Sequence, residues 1–194
     1  MKKIKTPNGI IYHLEKDQVV YEKTNDCVKY YKNNKLHRDG DLPAIEYANG
    51  SKCWYKNGKR HRDNDKPAEI NYDVDGKKIS EMYYCDNKFH RANKPAIIEY
   101  FFNGYKKCQE IFFQFYLLGK LHRLNGPAIC HKFKNGKIDK HKSRYYVNGR
   151  LHNTKGPAKY LHNNWVYGYF PCFYINGKRI SEQNFYPNEN KVKK

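Results

Sequence analysis

Tyr30-Tyr31-Lys32-Asn33-Asn34-Lys35-Leu36-His37-Arg38 returns along the chain as Trp54-Tyr55-Lys56-Asn57-Gly58-Lys59-Arg60-His61-Arg62 and as Tyr83-Tyr84-Cys85-Asp86-Asn87-Lys88-Phe89-His90-Arg91. Two further copies follow, Phe115-Tyr116-Leu117-Leu118-Gly119-Lys120-Leu121-His122-Arg123 and Tyr145-Tyr146-Val147-Asn148-Gly149-Arg150-Leu151-His152-Asn153. In each copy the second aromatic stands six positions before the His, and a Pro-Ala pair follows the His at Pro43, Pro67, Pro95, Pro127 and Pro157. Self-similarity at a period of this size is the signature of a repeat architecture, in which each unit buries its apolar face only against its neighbours. A worn sixth copy, Phe173-Tyr174-Ile175-Asn176-Gly177-Lys178-Arg179-Ile180, has Ile where His belongs and no Pro-Ala after it, as a terminal repeat often does.

Asn-Gly pairs at 8-9, 49-50, 57-58, 103-104, 135-136, 148-149 and 176-177, with Asp75-Gly76 beside them, mark turns. Both residues tolerate positive φ, so the sequence predicts type I′ hairpin turns, two per repeat. Apolar positions such as Ala68, Ile70, Tyr72 and Ala96, Ile98, Tyr100 recur with period two, the spacing of one strand face. No helical period persists for three turns; the one helix start is Ser181-Glu182-Gln183, stopped before Pro187. The expectation is an all-β, elongated solenoid of stacked antiparallel hairpins, with an N-terminal capping hairpin over 1–27, repeats over 28–180, and a basic C-terminal tail with a short helix over 181–194.

Lys and Arg number 38 against 19 Asp and Glu, a formal net charge of +19, which favours polyanionic partners. The aromatic share of 16% sets the chain apart from disordered sequences, and 19 Tyr suit a thin core that is apolar at the ring and wet at the hydroxyl. Nothing resembles a membrane span, and no apolar stretch follows Lys2 and Lys3 to make a signal peptide, so the protein is expected inside a cell. The six Cys lie far apart without a Cys-x-x-Cys pair and read as reduced strand residues. No nucleotide-binding, hydrolase or metal motif is present, so neither an enzyme nor a cofactor is expected.

The pattern Tyr-x-x-Asn-Gly-Lys-x-His resembles the MORN repeat, a β-hairpin module that stacks into twisted sheets. It is more similar to a MORN-like variant with His-Arg and Gly-Pro-Ala, seen in tandem in large DNA viruses of protists and in some phages and bacteria. The resemblance spans residues 28 to 180 but departs where Arg38, Arg62, Arg91, Arg123 and Asn153 follow the His in place of Gly. It implies a hairpin scaffold, encoded by a virus and located in a virion or an infected host cell.

Two sets of candidate residues follow. His37, His61, His90, His122 and His152, with Tyr31, Tyr55, Tyr84, Tyr116 and Tyr146, recur once per repeat and read as locks: the imidazole bonds neighbouring backbone and packs on the preceding Tyr. Lys132, Lys134, Lys137, Lys140, Lys142 and Arg144, together with Arg38, Arg62, Arg91 and Arg123, are the candidate anionic-partner surface. The arginines have a structural alternative, stacking on the aromatic pair or bonding an Asp of their own loop, Asp39 or Asp63. An acidic protein is the expected partner, with RNA or DNA as the alternative and edge-to-edge self-association through uncapped strands as a further contact.

Overall fold

A computed structural model describes residues 2–7, 10–15, 18–102, 108–163 and 168–186. The chain packs as two compact units, Met1–Arg91 with Ala96–Glu99, and Ala92–Pro95 with Tyr100–Lys194. The fold is all-β and built of antiparallel hairpins, with a single short helix among the described residues.

In the first unit the strands Lys2–Lys5, Ile11–Glu15, Gln18–Lys23, Cys27–Lys32, Ile45–Tyr47, Lys52–Cys53, Glu69–Tyr72 and Lys78–Met82 lie in that order in one sheet, each antiparallel to the last. Residues 1–27 supply three of these strands, antiparallel to one another, and the third pairs directly with Cys27–Lys32, so the N-terminal segment lies at one end of the sheet. In the second unit Cys108–Gln114 pairs with Ile129–Phe133, and Lys159–Asn163, Gly168–Ile175 and Lys178–Ile180 form a three-stranded sheet. The helix Glu182–Phe185 is capped by Ser181, whose hydroxyl accepts from the Asn184 N–H at 3.2 Å. Residues 187–194 of the basic tail lie outside the described residues.

Each repeat adds a second, shorter hairpin beside the sheet. Tyr31 pairs with Leu36, Tyr55 with Arg60, Tyr84 with Phe89, Tyr116 with Leu121, Tyr146 with Leu151 and Tyr174 with Arg179, each around a two-residue turn. Both turn residues have positive φ, as in Asn57 and Gly58 at 52° and 83°, the geometry that matches the right-handed twist of flanking strands.

The remaining Asn-Gly pairs behave differently. At Asn49-Gly50, Asp75-Gly76 and Asn135-Gly136 only the Gly has positive φ. There the Gly N–H donates to a carbonyl three residues back, and the strand closes one residue further on, as in Gly50 to Tyr47 and Tyr47 to Ser51, both 2.9 Å. That is a three-residue loop, a type I turn followed by a left-handed Gly, and it corrects the expectation of type I′ turns throughout. The pairs at 8-9 and 103-104 lie outside the described residues.

Two backbone bonds recur in all five repeats. The first aromatic donates its N–H to the Ala carbonyl of its own Pro-Ala at 2.7–2.8 Å, and accepts at its carbonyl from the His N–H at 3.0–3.2 Å. This places Ala44, Ala68, Ala96, Ala128 and Ala158 where no surface remains exposed. With Trp54, Tyr83, Phe115 and Phe173 they make up much of the core, while the second aromatics stay half-buried. The thin core is therefore made largely of alanines and of the first ring in four of the six copies, with Tyr30 and Tyr145 half-buried.

Candidate binding surface

In four repeats, those of His37, His61, His122 and His152, the imidazole meets the hairpin of the following repeat. Nδ1 of His37 accepts from the Asn57 N–H at 3.1 Å, that of His122 from Asn148 at 3.2 Å, and that of His152 from Asn176 at 3.1 Å. At His61 the corresponding contact with Asp86 lengthens to 3.4 Å, where the Asp86 carboxylate also approaches Nδ1 at 3.3 Å. The second turn residue of the same hairpin donates to the carbonyl just before the His: Gly58 to Leu36, Asn87 to Arg60, Gly149 to Leu121 and Gly177 to Leu151, at 2.8–3.0 Å.

A two-residue turn leaves both of its own N–H groups outside the hairpin ladder, and here both find acceptors on the preceding repeat. Nε2 of His37 and His61 then faces Asp39 and Asp63 at 2.9 and 2.8 Å, which fixes the ring with Nδ1 free to accept. The sixth copy carries Ile180 in place of His, and its hairpin is followed by the helix, whose Phe185 and Tyr186 pack on Phe173.

The arginine after the His stacks on the first ring of the pair. The guanidinium carbon lies 3.7 Å from the ring centre for Arg38 on Tyr30, Arg62 on Trp54 and Arg91 on Tyr83, and 4.0 Å for Arg123 on Phe115. Its Nη1 donates to the proline carbonyl, Arg38 to Pro43, Arg62 to Pro67 and Arg123 to Pro127, at 3.1–3.3 Å. In the fifth copy Asn153 makes the same bond to Pro157 at 2.9 Å, which explains how Asn substitutes there.

Arg62 also forks onto Asp41 (2.7 and 3.2 Å) and Arg91 onto Asp65 (2.6 and 3.1 Å), in each case a carboxylate of the preceding repeat. Asp39 and Asp63, the partners expected from the sequence, instead bond the imidazole and a Lys of their own hairpin, Lys32 and Lys56. The ring that receives the cation is the first of the pair; Tyr31, Tyr55, Tyr84 and Tyr116 direct their hydroxyls to Glu22, Arg60, Arg60 and Gln114 respectively. Burial, with the Glu22 bond second, pushes the Tyr31 hydroxyl up to about 12. Tyr146 packs against Phe115, Ala128 and Cys130.

Lys132, Lys134, Lys137, Lys140, Lys142 and Arg144 are all exposed in the second unit, Lys132 in the strand Ile129–Phe133 and the other five on the loop that follows it. The loop is held by backbone pairing of Lys132 with Ile138 and of Ile129 with Arg144. Asp139, its single acid, is spent internally: its carboxylate caps the turn by accepting from the N–H groups of His141 (2.9 Å) and Lys142 (3.3 Å). Among the described residues only Lys142 of the six has a carboxylate in reach, Glu110 at 3.5 Å. His141 stacks on Tyr169 at 4.1 Å and meets Tyr160 edge-on, anchoring the loop to the strands beside it.

The structure thus separates the candidate cations: the six of this strand and loop point to solvent, whereas Arg38, Arg62, Arg91 and Arg123 are covered on one face by a ring. Among the described residues no three His, Cys, Asp or Glu side chains converge as a metal site would need, and no helix is long and apolar enough to cross a membrane. Cys27, Cys53, Cys85, Cys130 and Cys172 are free thiols, and burial pushes that of Cys53 up to about 11. Compared with protein-family models, with curated proteins and with solved structures, the chain matches none.

Proposed function

We propose that the protein is a non-enzymatic scaffold of MORN-like repeats that holds an acidic protein partner on the basic surface of its second unit. One observation carries the reading: six cations stand exposed on a strand and the loop after it, whose shape is fixed by backbone bonds, and only one of them has a carboxylate in reach among the described residues. Exposed, ordered cations in excess steer an anionic partner and make its binding strongly dependent on salt.

A nucleic-acid partner is the second reading, supported by Phe101 and Phe170, which stay 48% and 46% exposed in the same unit and offer ring faces to bases. Titrating the protein with polyglutamate and with a single-stranded RNA of equal charge, over a series of salt concentrations, tests both. The scaffold reading expects polyglutamate to bind and to weaken as salt rises, and Lys134→Ala with Lys137→Ala to weaken it further. Binding of RNA alone establishes the second reading, and binding of neither overturns both.

A further inference from the structure

The loops that follow the His residues leave a groove between neighbouring repeats, and the two units line it with different chemistry. In the first unit, where a groove of about 220 Å³ runs between the loops of the first and second repeats, Arg38, Lys56 and Arg62 share the walls with Asp39, Asp41 and Asp63. Those acids neutralise it in place: Asp41 bonds Arg62 and Lys66, and Asp63 bonds Lys56.

In the second unit the equivalent groove, between the loops of the fourth and fifth repeats, is roomier at about 570 Å³. Its loops read His122-Arg123-Leu124-Asn125-Gly126-Pro127 and His152-Asn153-Thr154-Lys155-Gly156-Pro157, without a single Asp or Glu. Arg123, Lys140 and Lys155 line it beside Tyr145 and Tyr160. Among the described residues none of these three cations has a carboxylate partner. The interior neutralisation built into the first groove is thus missing from the second.

We infer that this second groove is the subsite that takes a carboxylate side chain of the acidic partner, so that a foreign Asp or Glu supplies to Arg123, Lys140 and Lys155 the neutralisation that the chain's own acids supply in the first groove. Carboxylate is the chemistry favoured over phosphate because it is the anion that fills the first groove, where Asp41 sits against the stacked Arg62 and Lys66. The second groove presents its cations from other positions, Arg123 of the earlier loop with Lys140 and Lys155, since Asn153 and Gly156 stand where Arg62 and Lys66 do. Tyr145 and Tyr160 give the incoming chain a flat wall. The inference rests on the proposed acidic partner and narrows it to one place and one functional group.

The test uses the full chain and a fluorescein-labelled peptide of alternating Glu and Gly, followed by fluorescence polarisation. Lys140→Ala with Lys155→Ala, both exposed and outside the core, is expected to weaken the peptide about five- to tenfold, the sum of two partly screened ion pairs. Lys132→Ala with Lys134→Ala, on the far part of the basic strand and loop, is expected to weaken it less than about twofold. Thr154→Asp places a carboxylate where Asp63 stands in the second repeat, and is expected to block the peptide by occupying the groove from within.

If the peptide binds but loses affinity only with Lys132 and Lys134, the groove assignment is overturned and the basic scaffold stands. If the wild-type chain binds no acidic peptide, both fall. A phosphorylated peptide or an RNA oligonucleotide of equal charge that binds more tightly, and is lost with Lys140 and Lys155, overturns the choice of carboxylate.

Discussion

Arg62 shows how much one side chain carries in this fold: it covers the Trp54 ring, donates to the Pro67 carbonyl and forks onto Asp41 of the preceding repeat. Lys cannot reproduce a planar stack with a two-pronged bond, so Arg62→Lys is expected to lose about 1–2 kcal/mol in urea unfolding, nearly as much as Arg62→Ala. The bonds from Arg62 and then Lys66 hold the Asp41 carboxyl down at about 2. A carboxyl depressed in the folded state stabilises above its unfolded value, near 3.9, and that contribution disappears as pH falls from about 4 through 2. Stability measured by urea midpoint should therefore drop over that window, with a smaller drop in Asp41→Asn; because Asp41 is largely in water, added salt should shrink the difference. Leu118 is a strained residue of another kind, a bulky side chain at φ 46°, 57% exposed, in a turn position that Asn fills in other copies. Leu118→Asn should raise stability by about 1 kcal/mol, read from the same midpoint.

At the scale of the element, each hairpin is specified by spacing. The Ala of each Pro-Ala has no exposed surface, and its carbonyl is taken by the first aromatic's N–H, so Ala158→Leu should cost about 1–3 kcal/mol by overpacking, visible as a lower melting temperature. The strands, the short hairpins and the Ser181 cap were legible in the sequence because period-two patterning, a fixed aromatic-to-His distance and a Ser before Glu-Gln each point to one local structure. The two turn classes were not. Asn57-Gly58 and Asn49-Gly50 share a dipeptide, and what separates them is which residues pair across the loop: Lys56 with Lys59 in one, Tyr47 with Ser51 in the other. Nor could spacing tell that Arg62 reaches back to Asp41 instead of to Asp63 in its own loop, since that follows from the guanidinium lying flat on Trp54. The basic loop was legible as composition, and its exposure was not; the groove at Lys140 and Lys155 draws on residues 15 positions apart in sequence and was missed. The signal that would have found it is the loss of every Asp from the His loops after the second repeat, at 90–95, 122–127 and 152–157.

On the scale of the whole molecule, one bonding scheme repeats within each unit: the His loop of a repeat supplies the acceptors for the turn of the next. Stability in such a chain is a sum of units and of the contacts between neighbours, so the scheme should leave a periodic trace in every unit. Amide hydrogen exchange reads it residue by residue. The account predicts slow exchange at Asn57, Gly58, Asn148, Gly149, Asn176 and Gly177, positions whose N–H groups an isolated two-residue hairpin leaves open to water. Asn33 and Asn34, in the first hairpin with no earlier His loop to receive them, should exchange fast. Equal, fast exchange at all eight amides would contradict the interlock of successive repeats on which the account is built.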